Sequence, residues 1–169
     1  MNILRLDKTG AEVLLRPICP LDEEMLRRFY LELSEKTFRS FYGYCTDRNI
    51  FVRKEKLSQE CHVDLEKDLR LVAIRDNEII GLGMLLDMDS FAEANYEIGH
   101  LISDEYQGRG IGSLLMESML VYAKEHSTKG KIVAYTHTMN IGAKRLLQKF
   151  DFVLKNTEYG EMTWIYTIR

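Results

Sequence analysis

The sequence has few prolines and cysteines and no long apolar run. Its two prolines, Pro17 and Pro20, flank one short turn, so no proline-rich linker divides the 169 residues. The three cysteines are scattered and form no C-x-x-C pair, which argues against a disulfide framework or a zinc knuckle. We therefore expect no metal, and a reducing, cytoplasmic setting.

The sequence also lacks a run of about 18 apolar residues, which a membrane-spanning helix would need. Charges interrupt the N-terminal segment too early for a secretory signal. A net charge of -3 argues against nucleic-acid binding by bulk charge. We expect one domain over residues 1–169, with a core from about residue 13, no nucleic-acid or membrane partner, and a monomer or homodimer.

The spacing of apolar residues predicts helices and strands that build a sheet covered by helices, of the α/β or α+β class. The charged segment 46–68 is expected to contain a further helix and a loop. The predicted strands are 13–17, 69–74, 79–86, 96–102, 131–136, 152–158 and 161–168, and the predicted helices are 21–34, 36–42, 111–126 and 141–149. The helix over 21–34 is predicted from Leu21, Met25, Leu26, Phe29 and Leu33.

A glycine-rich turn, Gln107-Gly108-Arg109-Gly110-Ile111-Gly112, lies between a predicted strand and a predicted helix. Alternating glycines let the backbone turn sharply, and the unpaired N–H groups at a helix start suit a phosphate or pyrophosphate. A tight turn without a ligand is the alternative interpretation. The lysine and hydroxyl of a nucleoside-triphosphate loop are absent, and the glycine spacing differs from a dinucleotide fingerprint. The turn therefore predicts a phosphate ligand of another kind.

Two stretches together resemble the GNAT superfamily of acetyl-CoA-dependent N-acetyltransferases. They are the glycine-rich turn and Asn140-Ile141-Gly142-Ala143-Lys144-Arg145-Leu146, which Phe152 follows. Within that superfamily, segments 14–43 and 68–85 are most similar to Pat-type protein lysine acetyltransferases. The resemblance implies a GNAT-like mixed, mostly antiparallel central sheet flanked by helices.

The resemblance also implies a set of acetyl-CoA contacts. The backbone amides of the glycine-rich turn would hold the pyrophosphate, and the strand before it would pair with the pantetheine arm. Leu147 stands where many family members carry a tyrosine that protonates the departing thiolate, so position 147 cannot supply that proton. The usual glycine before the closing phenylalanine is Asp151. The implied contacts are Leu101, Ile102, Gln107, Gly108, Arg109, Gly110, Ile111, Gly112, Asn140 and Lys144.

Acetyl transfer to an amine requires a group that accepts a proton, because a free lysine amine is protonated at neutral pH. Glu97 stands where Pat-type enzymes carry their catalytic glutamate. His100 is the rival base, since its ordinary pKa lies nearer neutrality. Strand alternation places Glu97 and His100 on opposite faces of the sheet. A salt-bridged Glu97 and a packed His100 are the structural alternatives.

Eight acidic residues and no lysine or arginine lie between Arg75 and Arg109. Three of these acids, Asp87, Asp89 and Glu93, lie in the loop that leads into the strand of Glu97. Such an acidic rim would attract a cationic acceptor, and a solvated loop is the alternative.

These features together predict an N-acetyltransferase that transfers the acetyl group of acetyl-CoA directly to a primary amine, with Glu97 as general base. A protein lysine side chain is the favoured acceptor. Two alternatives remain open: an acetyltransferase for a small amine, such as a polyamine or an aminoglycoside, and a non-catalytic module that senses acetyl-CoA.

Overall fold

A computed structural model of the chain describes residues 2–43, 46–64, 67–88, 94–126 and 130–168. The strands are β1 (Ile3–Leu6), β2 (Glu12–Pro17), β3 (Leu69–Arg75), β4 (Glu78–Asp87), β5 (Tyr96–Ile102), β6 (Gly130–His137), β7 (Val153–Glu158) and β8 (Glu161–Ile168). The helices are α1 (Glu23–Glu32), α2 (Glu35–Tyr42), α3 (Arg48–Phe51), α4 (Lys54–Cys61), α5 (Ile111–His126) and α6 (Ile141–Lys149).

The eight strands form one sheet in the order β1-β2-β3-β4-β5-β6-β8-β7. The pairing of β5 with β6 is parallel, and the other described pairings are antiparallel. The predicted fold class, a mixed and mostly antiparallel sheet flanked by helices, is confirmed. Each predicted strand and helix has a counterpart within a few residues of its predicted bounds.

Helices cover both faces of the sheet and bury two apolar cores. On one face, α5 lies close to β4 because Gly81 and Gly83 carry no side chains: a Cβ on Gly83 would lie 3.1 Å from Met119 Sδ. The C-terminal part of α6 packs on this face through Leu147. On the other face, α1, α2 and α4 bury side chains such as Phe38 against Leu82, Met84 and Leu101 of the sheet.

Two tight turns confirm predicted hairpins. Asp76 and Asn77 both adopt positive φ angles, 51° and 62°, between β3 and β4. Tyr159 and Gly160 do the same, with 49° and 86°, between β7 and β8. Positive φ at both central residues matches the right-handed twist of the flanking strands, so these turns fix the register of each hairpin.

Two local predictions were wrong. The structure has an additional strand, β1, which the sequence analysis did not predict; its apolar Leu4 and Leu6 alternate with charged residues but are exposed. Leu21, predicted on the buried face of the first helix, is 91% exposed. It lies in a 3₁₀ turn that Asp22 closes by accepting hydrogen bonds from Arg16 (2.6 Å) and from the Cys19 N–H (2.8 Å). Among the described helices, none is long and apolar enough to cross a membrane.

Candidate functional site

A gap opens in the sheet between β5 and β6. The parallel pairing of these strands covers only Tyr96 with Ile132 and Glu97 with Val133. On its other side, β5 pairs with β4 along its full length, as far as Ile102. The edge of β5 from residue 98 to 102 therefore faces the gap, where its peptide groups can pair with an extended ligand as another strand would.

The glycine-rich turn lies at the open end of this gap. Gly108 and Gly110 adopt φ angles of +77° and +93°, a region that favours glycine. The N–H groups of Ser113 and Leu114 both donate to the Gly110 carbonyl, at 2.9 and 3.1 Å, and so begin α5. The preceding N–H groups have no acceptor within the helix because of their position. With the positive end of the α5 dipole, they form a cradle for an anion.

Gln107 differs from the other residues of the predicted cradle. Its backbone N–H donates to the Asp104 carbonyl at 3.3 Å. Its side-chain amide donates to the Ile102 carbonyl (3.2 Å) and to the Thr37 hydroxyl (3.1 Å). Gln107 thus orders the turn from within. Because its backbone N–H already has an acceptor, we expect the N–H groups of residues 108–112 to be the ones that face an anion.

Asp104 connects this turn to α2. Its carboxylate accepts hydrogen bonds from the Ser34 N–H (2.8 Å), the Ser34 hydroxyl (2.7 Å) and the Thr37 hydroxyl (2.6 Å). Burial opposes ionisation of Asp104, but these hydrogen bonds outweigh it and lower its pKa. Asp104 belongs to the acidic stretch between Arg75 and Arg109. Its carboxylate holds the turn to the start of α2 through these hydrogen bonds.

Lys8 lies against the cradle and is absent from the sequence prediction. Its N–H donates to the Arg109 carbonyl at 2.9 Å, and a Cβ on Gly110 would lie 3.0 Å from Lys8 Cγ. The turn that carries Lys8 is held by Asp7, whose carboxylate accepts the Thr9 N–H (2.8 Å) and pairs with Arg75 (2.8 Å). These bonds also lower the pKa of Asp7, so the carboxylate stays ionised.

Other basic side chains surround the start of α5 and α6. Lys149 donates to the Ser113 hydroxyl at 3.0 Å, on the first turn of α5. The Arg109 guanidinium lies 4.9 Å from the centre of the Tyr106 ring. Of the predicted contacts on α6, Lys144 donates to the Thr138 carbonyl (3.0 Å). Asn140 caps α6 through Oδ1, which accepts the Ala143 N–H at 3.1 Å. Among the described residues, no acceptor lies within hydrogen-bond distance of its amide NH₂.

A cleft of about 360 Å³ opens on the face of the sheet that α1 to α4 cover. Aromatic side chains of α2 and α3 form one wall, side chains of β4 and β5 form the floor, and charged side chains of α4 and β3 close one end. The lining residues are Phe41, Tyr42, Phe51, Lys56, Glu60, Arg70, Met84, Leu86, Glu97 and Gly99.

Glu97 lines this cleft next to the point where β5 and β6 separate. Its side chain is half-buried, and burial, followed by the negative charge of Glu161, raises the pKa of Glu97. Gly99 shares its face, and a Cβ there would lie 2.8 Å from the Phe41 ring. A carboxylate with a raised pKa, at the junction of gap and cleft, is suited to proton transfer.

His100 faces the opposite side of the sheet, as strand alternation predicted. A Cβ on Gly112 would lie 3.4 Å from its imidazole ring, which places the ring beneath the start of α5. Burial lowers the pKa of His100 to about 4. The ring is therefore neutral at pH 7 and does not reach the cleft.

The lowered pKa of the partly buried His100 predicts a specific pH dependence of stability. Its folded pKa of about 4 lies below the ordinary value of about 6.5, so the unfolded chain binds more protons between these pH values. Stability should therefore fall as the pH falls from 6.5 to 4, by about 2–3 kcal/mol from this residue. Urea titrations at pH 7 and pH 4 of the wild type and of His100→Gln measure the effect. Equal pH dependence in the two proteins would contradict this prediction.

The predicted acidic rim is described only at its first residue. Asp87 is exposed at the end of β4, opposite Tyr96 and next to the register pair of Leu86 with Glu97. Its N–H donates to the Asp68 carboxylate at 2.9 Å. Asp89 and Glu93 lie outside the described residues.

The structure shows how the chain accommodates the two residues that depart from the family pattern, Leu147 and Asp151. Leu147 is 2% exposed and belongs to the core beneath α6, so this position supplies no proton. Asp151 follows the end of α6 with a φ of +62°, the left-handed conformation in which helices commonly end with glycine. Aspartate tolerates this conformation better than most residues, so the helix ends there without glycine.

Some known proteins are similar to this chain in sequence, and others are similar to it in fold. Residues 24–152 match the family described as Acetyltransferase (GNAT) family. Acetyltransferase PA5475 of Pseudomonas aeruginosa is 29% identical over 121 residues, which cover 69% of this chain but only 62% of that protein. The GNAT domain of S. lividans PAT superposes with a TM-score of 0.85 at 21% identity, covering 98% of this chain and 96% of that one. Mycobacterium smegmatis RimJ in complex with CoA-disulfide gives 0.78 at 15% identity, covering 98% and 86%.

Proposed function

Because the chain belongs to the GNAT acetyltransferase family, we propose that it transfers the acetyl group of acetyl-CoA to a primary amine, with a protein lysine as the favoured acceptor. One observation carries the proposal: the gap beside β5 has the anion cradle at its open end and the Glu97 cleft beside it. A thioester in the gap and an amine in the cleft would meet at Glu97. Because the sequence has only three, scattered cysteines, which suit a reducing compartment, we propose that the reaction takes place in the cytoplasm.

Acetyl-CoA would lie along the gap. The N–H groups of residues 108–112 would hold its pyrophosphate, and Arg109 supplies positive charge beside them. The exposed backbone edge at Leu101 and Ile102 would pair with the pantetheine amides, and the free amide NH₂ of Asn140 would contact the same arm. Lys144 lies one turn into α6, where it would reach a phosphate oxygen.

Direct transfer accounts for every bond and proton. The amine nitrogen attacks the thioester carbonyl carbon, its C–N bond forms, and the C–S bond breaks. Glu97 accepts, directly or through water, the proton that converts the ammonium group into the attacking amine. The nitrogen loses its second proton as the C–S bond breaks, and this proton passes to solvent or to the departing CoA thiolate. A thiolate is a modest base, with a thiol pKa of about 8.5 as in cysteine, so water can protonate it without an acid at Leu147. The buried Cys61, whose pKa burial raises to about 12, supports a route without an acetyl-enzyme.

The proposal is tested by incubating the protein with acetyl-CoA and a panel of lysine peptides, polyamines and aminoglycosides. We expect release of one CoA thiol for each amine acetylated, with lysine peptides as acceptors. Exclusive acetylation of polyamines or aminoglycosides would assign the small-amine function instead. Tight acetyl-CoA binding without thiol release for any acceptor would favour a sensing module.

Lys8 should strengthen acetyl-CoA binding. Its side chain lies along Gly110, and no hydrogen bond or ion pair of its ammonium occurs among the described residues. Replacing it with methionine keeps the aliphatic stem and removes the charge, so we expect the Kd for acetyl-CoA to rise about 5–10-fold at low salt. The difference should shrink as salt screens the charge.

Isothermal titration calorimetry at two salt concentrations measures this effect. Lys36→Met makes the same charge change on the exposed face of α2 and serves as the control. A Lys8→Met protein with the affinity of the control would remove Lys8 from the phosphate site.

A further inference from the structure

The charged end of the cleft holds two cations around one carboxylate. Glu60 is 3% exposed, and its Oε2 accepts a hydrogen bond from the Tyr30 hydroxyl at 2.5 Å. Lys56 Nζ lies 3.4 Å from one carboxylate oxygen, and Arg70 Nη1 lies 3.4 Å from the other. By formal charge, two basic side chains and one acidic side chain leave this end of the cleft with one positive charge. That charge lines the cleft rather than the protein's outer surface.

Lys56 and Arg70 have more N–H donors than their contacts with Glu60 use. Charge-assisted hydrogen bonds are typically about 2.7–2.9 Å long, so both 3.4 Å separations are ion pairs without a short hydrogen bond. Arg70 carries five N–H donors on a planar fork and is 17% exposed in its side chain. The described residues offer it Glu60 as an ion-pair partner, and its other donors remain available to a bound molecule.

The sheet places this positive end opposite Glu97. In the register of β3, β4 and β5, Arg70 pairs with Met84, and Met84 pairs with Gly99. Glu97 precedes Gly99 by two residues, so the Cα atoms of Arg70 and Glu97 lie about 12 Å apart on one face. The aromatic side chains of Phe41 and Phe51 line the same cleft. The cleft thus has an acidic end, an apolar wall and a positive end.

We propose that the cleft binds acceptors that carry a carboxylate near the amine, with Arg70 and Lys56 binding the carboxylate and Glu97 receiving the amine proton. The planar guanidinium matches a carboxylate in two parallel hydrogen bonds. The cleft is partly shielded from water, so the interaction is stronger than at an open surface. The carboxylate comes from a free amino acid or from an acidic residue beside a lysine in a peptide. This inference rests on the proposed acetyltransferase function.

The substrate test compares amines that differ only in the carboxylate. One arm pairs 4-aminobutyrate with butylamine and 6-aminohexanoate with hexylamine, because a carboxylate separated from the amine by several methylene groups hardly changes the pKa of the amine. A second arm pairs blocked lysine peptides with aspartate or asparagine next to the lysine. We expect kcat/KM about tenfold or more higher for the acidic member of at least one pair, mainly through KM. The arm that shows the preference identifies the source of the carboxylate.

The variant test assigns the preference to the two cations. Lys56→Met leaves Arg70 and Tyr30 on Glu60, and Arg70→Lys keeps a charge but loses the planar fork. Each should reduce the preference to about threefold or less without changing the Kd for acetyl-CoA. Lys36→Met, a surface charge change outside the cleft, should retain the preference.

Three outcomes would contradict the inference or a part of it. Equal use of acidic and neutral acceptors, or preference for the neutral ones, would overturn it while leaving the acetyltransferase function intact. A preference that persists in both folded variants would overturn the assignment to Lys56 and Arg70. Absence of transfer to every amine would instead overturn the proposed function, and this inference with it.

Discussion

Replacing Glu97 with glutamine should lower kcat for amine acetylation by about 10²–10⁴-fold, the usual contribution of a general base. Glutamine keeps the shape of glutamate but cannot accept the proton at neutral pH. Because Glu97 lines the acceptor cleft and lies outside the cradle, the Kd for acetyl-CoA should change little. Steady-state kinetics with the best acceptor, together with calorimetry for acetyl-CoA, measure both quantities. Part of the lost activity should return at high pH, where more of the amine is already neutral.

Two further variants separate proton transfer at Glu97 from a structural role. The charge of Glu161 helps to raise the pKa of Glu97, so Glu161→Gln should move the acidic limb of the pH–rate profile to lower pH. His100→Gln should stay within a few-fold of wild type at pH 7, because its ring lies on the opposite face. An active Glu97→Gln protein together with an inactive, folded His100→Gln protein would reassign the base to the histidine.

Much of the fold follows from local sequence signals. Asp76 and Asn77 tolerate the positive φ of a two-residue turn, and Gly160 does so at the second position of the other turn, so both hairpins are predictable. Tyr159, at the first position of that turn, adopts a φ of 49° although bulky residues rarely do. The period of α5 is equally clear, because Ile111, Leu115 and Met119 are buried on one side. The strand β1 is harder to predict because it is only four residues long, lies at the sheet edge and exposes the two leucines that alternate with charged residues.

The candidate site is predictable only in part. The glycine-rich turn and the face of Glu97 depend on residues close together in sequence, and alternation along β5 is enough to place Glu97 opposite His100. Lys8 escapes prediction because about a hundred residues separate it from the turn it contacts. The cluster of Lys56, Glu60 and Arg70 escapes for the same reason. It forms only when α4 packs over β3, and the charged segment that becomes α3 and α4 shows no clear period.

The contacts of Gln107 add a connection that neither sequence motif implies. Its side chain reaches the Thr37 hydroxyl, and Thr37 also donates to Asp104. These bonds hold the start of α2 against the cradle, while Phe41, further along α2, lies over Gly99 in the cleft. The helix that walls the acceptor cleft is therefore anchored to the turn proposed to bind the phosphates.

The second large effect is expected at Gly108, and the choice of position follows from the backbone. A side chain at Gly110 would be strained by its φ of +93° and would meet Lys8 Cγ at 3.0 Å. Gly108 has a φ of +77° and open space around the position of a Cβ. Aspartate and asparagine tolerate this left-handed region better than most other residues, so both substitutions at Gly108 carry a similar backbone strain. The pair differs in a single negative charge.

We expect Gly108→Asp to weaken acetyl-CoA binding by about 100-fold or more, because its carboxylate would repel the pyrophosphate that the N–H groups of this turn are proposed to bind. Gly108→Asn adds nearly the same volume without the charge, so its Kd should stay within about fivefold of wild type. Calorimetry gives the two affinities, and thermal unfolding verifies that both variants fold. Affinity equal to that of the wild type in both folded variants would mean that the pyrophosphate does not lie at this turn. Equal losses in both would show that volume or backbone strain, rather than charge, limits binding there.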